Sequence, residues 1–161
     1  MATTHAQSYA SRQGISPHQH LMGVVVQSLV HADVAGVSFS IHPVTADNTV
    51  VINASYGLGE AVVSGMVTPD AFEVDKGTAT IRKILGSKEC QIRLSPEGGT
   101  QMQDTPQTLR GIFSLSDAQV LAVAQLTNHL EELAECPVDV EWAIENDSLY
   151  CLQMRPITLP K

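Results

Sequence analysis

Basic residues are scarce. Nine Lys and Arg stand against 17 Asp and Glu, giving a formal net charge of -8 and a pI near 5.0, and no basic run occurs. Nucleic acid is therefore not an expected partner, since a phosphate backbone is met by a cationic face. Long apolar runs are missing as well. Stretches such as Met22 to Val26 and Val50 to Ile52 fall far short of the roughly eighteen residues that a membrane helix needs, so no membrane partner is expected. The opening "MATTHAQSYASRQG" has no apolar core of the kind that a secretory signal carries, which makes the cytoplasm the expected compartment. Cysteine is limited to Cys90, Cys136 and Cys151, without a CxxC or Cys/His spacing, so reduced structural thiols are expected and zinc is not. His18 and His20 stand close together in "SPHQH" but have no acidic or Cys neighbour to complete a metal site.

What is present suffices for one domain: 161 residues, 43% of them hydrophobic, can bury a sizeable core. Residues 1–20 are polar with no apolar period and read as a lead or linker remnant; residues 21–161 read as the folded unit. "LMGVVVQSLV" and "DVAGVSFSIHP" read as two neighbouring antiparallel strands, the second alternating Val37, Phe39 and Ile41 with Ser38 and Ser40. "NTVVINASYG" is a third strand, and "LGEAVVSG" a short helix or tight loop. "TPDAFEVDKGTATIRKIL" is a hairpin turning at Lys76-Gly77, whereas "SPEGGTQMQDTPQ" reads as a surface loop. The clearest helix is "SLSDAQVLAVAQLTNHLEELAE". Ser116 and Gln119 form a capping box there, with Leu115 and Val120 as a hydrophobic staple. Its apolar face is Val120, Val123, Ala124, Leu126, Leu130, Leu133 and Ala134, with Gln125, Asn128, Glu131 and Glu132 outward. Pro137 stops it. A last hairpin, "VDVEWAI" and "SLYCLQM", turns at Glu145-Asn146-Asp147. The fold class is α+β: a mostly antiparallel sheet with one long helix packed on it.

That last hairpin carries polar residues where a strand would bury apolar ones. Asp139, Glu141 and Ala143 share one face by alternation, and across the turn Gln153 and Arg155 share a face with Cys151. Glu141 and Gln153 would offer oxygen ligands to a hard cation beside the fixed positive fork of Arg155, which is what magnesium triphosphate requires. The plainer alternative is an exposed sheet face with an ordinary cross-strand ion pair, worth about 0–1 kcal/mol. The glycine-rich "YGLGEAVVSG" fits either a backbone approach to phosphate or a turn that needs positive φ.

"VVVQSLV", "DVAGVSFSIHPVT", "NASYGLGEAVVSGMVTPDAFEV" and "PVDVEWAIENDSLYCLQMRPIT" together resemble the ATP-binding region shared by phosphoenolpyruvate synthase, pyruvate phosphate dikinase and rifampicin phosphotransferase. The resemblance spans residues 21–158 and implies the carboxy-terminal subdomain of an ATP-grasp fold, in which two α+β subdomains close over a nucleotide. It implies that Glu141 and Gln153 hold Mg²⁺ on the ATP triphosphate, and that Arg155 is the catalytic contact to the transferring phosphate. Gln27, Leu29 and Val30 match the hinge that holds adenine, and Glu60 lies in a loop near the nucleotide. For Leu29 and Val30, plain core packing is the alternative. Lys88 and Arg110 fall at family-like places yet read as solvated charges. Thr68, Pro69 and Asp70 read as a structural turn, with Asp70 satisfying local amides, and His42 fits a loop rather than a phosphate carrier.

The family's first ATP-grasp subdomain, its phosphohistidine domain and its acceptor domain have no counterpart here. They are expected as partners in cis or in trans. The expected activity is that of the whole protein: a phosphotransferase of the phosphoenolpyruvate synthase type, passing phosphate through a histidine to pyruvate, with this chain alone inactive. The alternatives are the ATP-binding part of a rifampicin phosphotransferase and a stand-alone nucleotide-binding module. Half a clamp leaves apolar surface uncovered, through which a homodimer would form.

Overall fold

The computed structural model describes residues 24–157. Six strands form one sheet in the order β4-β3-β2-β1-β7-β8: β1 (Val34–Phe39), β2 (Thr49–Tyr56), β3 (Asp70–Asp75), β4 (Ile81–Ile84), β7 (Val138–Glu145) and β8 (Ser148–Pro156). Every neighbouring pair is antiparallel. A separate hairpin, β5 (Cys90–Leu94) and β6 (Thr100–Asp104), joins the sheet through a bridge between Gly57 and Ile92. Short helices α1 (Glu60–Val63) and α2 (Gln107–Arg110) precede the long α3 (Asp117–Ala134). The expected α+β architecture, mostly antiparallel with one long helix packed on the sheet, is what the chain adopts.

Alternation along the strands sends one set of side chains to α3. Val50, Ile52, Phe72 and Trp142 are fully buried in one cluster with Leu115, Val120, Val123 and Ala124 of the helix and its lead-in. β1 is central and small on this face because the partners stand close: a Cβ on Gly36 would lie 1.9 Å from the Asn53 carbonyl oxygen, with the Trp142 ring beside it. α3 begins as its sequence indicates. Ser116 Oγ accepts from the Gln119 amide at 3.3 Å, and Gln119 Oε1 accepts from the Ser116 amide at 2.9 Å. Ser116→Ala is expected to lower stability by about 1 kcal/mol, read as a lower urea midpoint with an unchanged slope; an unchanged midpoint would contradict the cap's role.

Four expectations need correction. The strand expected over Leu21 to Val30 does not form in its described part: 24–30 carries no regular structure, and Val24, Val25 and Val26 are 82–93% exposed. Both edges of β1 are already taken, by β2 and β7, so no edge is free for that neighbour. The expected polar lead at 1–20 lies outside the described residues.

Secondly, the loop read over 95–107 contains β6, with only 95–99 as its turn. All five β6 residues are exposed, so no apolar period marked the strand; pairing with β5 makes it. Thirdly, the buried stripe of α3 runs through Thr127 rather than Leu126, and Leu133 is 67% exposed. Thr127 and Ser38 hydroxyls bond at 2.7 Å, and Thr127 Oγ1 also donates to the Val123 carbonyl. Finally, Glu131, expected outward, turns toward the sheet and takes bonds from Ser40 Oγ (2.7 Å) and the Lys76 ammonium.

Candidate functional site

The sheet face opposite α3 is ordered by register. On it Ala35 pairs with Ala143, Val37 with Glu141, and Phe39 with Asp139, while Glu141 in turn pairs with Gln153 and Asp139 with Arg155. The carboxylate and the carboxamide expected to share a cation are thus directly opposite each other on neighbouring strands. Neither is engaged in a side-chain hydrogen bond among the described residues. Arg155 Nη2 donates to Asp139 Oδ2 at 2.7 Å, so the plainer ion-pair expectation also holds, one row away from Glu141. Arg155 is 57% exposed in its side chain and its remaining N–H groups are free to meet an anion.

A β-bulge lies between Glu141 and Trp142, where Leu152 is the extra residue: Gln153 pairs with Glu141 and Cys151 with Trp142. This corrects the alternation read from sequence, in which Cys151 shared a face with Gln153 and Arg155. Cys151 faces with Trp142 instead, and Leu152 joins Ala143 and Ala35 in a small apolar cluster with Ala32, Val30 and Leu58. Cys151 is exposed, and its partial burial pushes the thiol above its ordinary value.

Above that cluster lies a cavity of about 340 Å³. It brings together Gln27, Leu29 and Val30 of the segment before β1, Glu60 of α1, and Glu141 of β7, five of the residues expected at a nucleotide. Gln153 and Arg155 lie outside its wall, beyond Glu141 on the exposed β8. Sequence reasoning missed Ala35, Leu58, Thr100 and Leu152 as lining residues. Thr100 was hidden because β6 read as loop, and Leu152 because only the bulge turns it to this side. Ala143 had been legible as a face-mate of Glu141.

Asp33 anchors the segment that leads into β1. Its amide donates to the Ile144 carbonyl (2.8 Å), its carbonyl accepts from Gly57 (2.9 Å), and its carboxylate accepts from the Asn146 amide (2.9 Å) in the β7–β8 turn. The wall carrying Gln27 to Val30 is thereby tied to the hairpin carrying Glu141. Gly57 has φ of 80°, and a Cβ there would meet the Ile92 carbonyl oxygen at 2.3 Å. The glycine-rich turn is therefore built first for a close approach to β5.

Lys88 and Arg110 are not solvated. Lys88 is fully buried, donating to Asp70 Oδ1 (2.5 Å) and to the Gly86 carbonyl (2.9 Å). Arg110 is half-buried and donates to the Thr105 carbonyl at 2.8 Å. Asp70 satisfies amides as expected, but those of distant Gly86 (2.8 Å) and Ser114 (2.7 Å). His42 Nδ1 accepts from the Val44 and Thr45 amides, a loop role. Among the described residues no three His, Cys, Asp or Glu gather as a metal cage, and no helix is long and apolar enough to cross a membrane.

The open sheet face thus carries an apolar cleft with the Glu141 carboxylate on its wall, and Gln153 and Arg155 beyond it on β8. The chain belongs to the pyruvate phosphate dikinase AMP/ATP-binding domain family, which it matches over residues 1–161. Its relatives include an uncharacterized phosphotransferase, YvkC, of Bacillus subtilis, 44% identical over 152 residues, which cover 94% of this chain and 18% of that protein. Phosphoenolpyruvate synthase of Pyrococcus furiosus is 40% identical over 169 residues, covering 99% and 21%. Rifampicin phosphotransferase of Bacillus cereus is 34% identical over 157 residues, covering 97% and 18%. The chain spans about a fifth of the length of these relatives.

Proposed function

We propose that residues 21–161 are the carboxy-terminal half of an ATP-grasp clamp that binds Mg·ATP for a phosphotransferase of the phosphoenolpyruvate synthase type. The observation that carries this reading is the direct pairing of Glu141 with Gln153 at the open end of an apolar cleft. The cleft takes the base: Leu29, Val30 and Leu152 offer apolar contact, and Gln27 offers an amide beside the exposed backbone of its segment. Glu141 and Gln153 hold the cation. One carboxylate and one amide, both unengaged, fit Mg²⁺, which keeps waters and takes phosphate oxygens rather than an all-protein cage. Bound there, Mg²⁺ would neutralise charge on the triphosphate. Arg155 supplies a fixed positive fork to the transferring phosphate, and Asp139 limits where that fork points.

In the whole protein a first subdomain closes over the nucleotide, and a histidine on another domain accepts the phosphoryl group and carries it to pyruvate. Phosphoryl transfer depends on positioning and charge stabilisation, so this chain without its partners is inactive. Pyruvate is favoured as acceptor because two phosphoenolpyruvate synthase relatives stand at 41% and 40% identity, against 34% for the rifampicin phosphotransferase. With Mn²⁺ replacing Mg²⁺ in the presence of ATP, paramagnetic broadening of backbone amide signals is expected to centre on 139–142 and 152–155. Broadening centred elsewhere would contradict the assignment of the cation to Glu141 and Gln153.

A further inference from the structure

Lys76, Arg82, Lys83, Lys88 and Arg155 each meet a carboxylate. Arg93 of β5 is half-buried and meets none among the described residues, in a chain where Asp and Glu outnumber Lys and Arg 17 to 9. It is nonetheless held in place. Its Nε donates to Gln91 Oε1 at 2.9 Å and its Nη1 to the Ala32 carbonyl at 3.1 Å. Gln91 is buried, so the group that orients the guanidinium is itself fixed. These bonds use part of a five-donor fork and leave the rest of it rigid and free. The fork lines a second cavity, of about 170 Å³, between β5 and the segment before β1, with His31, Ala32, Leu58 and Leu94 as the rest of its wall. Ala32 and Leu58 also line the larger cleft; Arg93, His31 and Leu94 do not. No acidic side chain stands on this wall to compete for the guanidinium.

A half-buried guanidinium without a counter-charge is costly, and a bound anion relieves that cost. The wall decides which anion. Phosphate carries oxygens on every side and would turn some of them toward Ala32, Leu58 and Leu94, whose side chains donate nothing. A carboxylate has both oxygens at one end, where they match the guanidinium fork, and leaves its carbon body for the aliphatic wall. His31 adds a ring N–H donor to the same wall. The volume is on the order of five waters in the liquid, enough for an acid of about four carbons and too little for a nucleotide. We infer that this cavity is a site for a small aliphatic carboxylate, its carboxyl group on the Arg93 fork and its carbon body against Leu58 and Leu94. This does not rest on the nucleotide reading of the larger cleft.

The test is a titration of the whole 161-residue chain with butyrate, formate, butanamide and inorganic phosphate, followed through backbone amide shifts. Butyrate is expected to bind saturably, with shifts centred on 31–32, 58 and 92–94, and formate about tenfold more weakly for want of an aliphatic body. Butanamide, the uncharged isostere, is expected to give no saturable shift. Arg93→Gln is expected to weaken butyrate about tenfold or more, and Arg93→Lys, which keeps the charge without the fork, to fall between the two. No response at those residues, butanamide binding as well as butyrate, or phosphate binding as tightly as butyrate overturns the proposal. Displacement of butyrate by ATP also overturns it, since the cavity would then be an end of the nucleotide cleft. The ligand series is read on the wild type, so a variant that fails to fold leaves the test standing.

Discussion

Asp70→Ala is expected to destabilise the chain by about 3–5 kcal/mol, the range for leaving a buried ion without its partner. The substitution strips three donors at once: the Lys88 ammonium and the Gly86 and Ser114 amides, all in a region closed to water. Lys88 would keep only the Gly86 carbonyl. The effect is wide because Asp70 opens β3, while Gly86 and Lys88 belong to the stretch between β4 and β5 and Ser114 leads into α3. One carboxylate therefore joins sheet, hairpin and helix. Lys88→Met is expected to cost less, since Asp70 retains both amides and the methionine fills the stem's volume. Urea unfolding of the two variants measures this; a loss below about 1 kcal/mol for Asp70→Ala, the size of an ordinary surface change or less, would mean that water reaches the cluster.

The second large effect concerns ligand rather than stability. Glu141→Gln is expected to lower Mg·ATP affinity by about tenfold to a hundredfold, the worth of one charge-assisted contact. It should leave metal-free ATP binding unchanged or slightly tighter, because a negative charge near the phosphates is gone. The side chain is half-buried between Val37 and the unengaged Gln153 and makes no hydrogen bond among the described residues, so no structural bond is lost. Equal weakening with and without Mg²⁺ would point to a packing role for Glu141 instead.

Local signals were legible and carried most of the fold. The α3 start announces itself through Ser116 and Gln119, and the β3–β4 and β7–β8 hairpins through alternation around short polar turns. At the last turn Asn146 and Asp147 both take positive φ (48° and 62°), as a tight two-residue hairpin loop requires. What stayed hidden was set by partners distant in sequence. Residues 24–30 have the valines of a strand but no edge to join, and β6 has an edge to join but no apolar face to betray it. Lys88 looked solvated because nothing near it in sequence reveals Asp70, 18 residues away across the fold.

Part of the candidate site's geometry was legible as well. Glu141, Gln153 and Arg155 stood out because polar residues interrupt a strand pattern, and register places Glu141 opposite Gln153. The bulge was not legible. It needs only one unpaired residue, yet it moves Cys151 off the site face and brings Leu152 onto it, giving the cleft its apolar floor. Asp139 looked like a third polar face residue, and its bond to Arg155 gives that guanidinium a defined direction.

The most direct test of the nucleotide half-site is a calorimetric titration of the folded chain with ATP, first with Mg²⁺ and then with the metal chelated. Saturable one-to-one binding that weakens when Mg²⁺ is removed is the predicted result. No heat from a chain shown to be folded, or binding indifferent to the metal, would contradict a working site at Glu141 and Gln153.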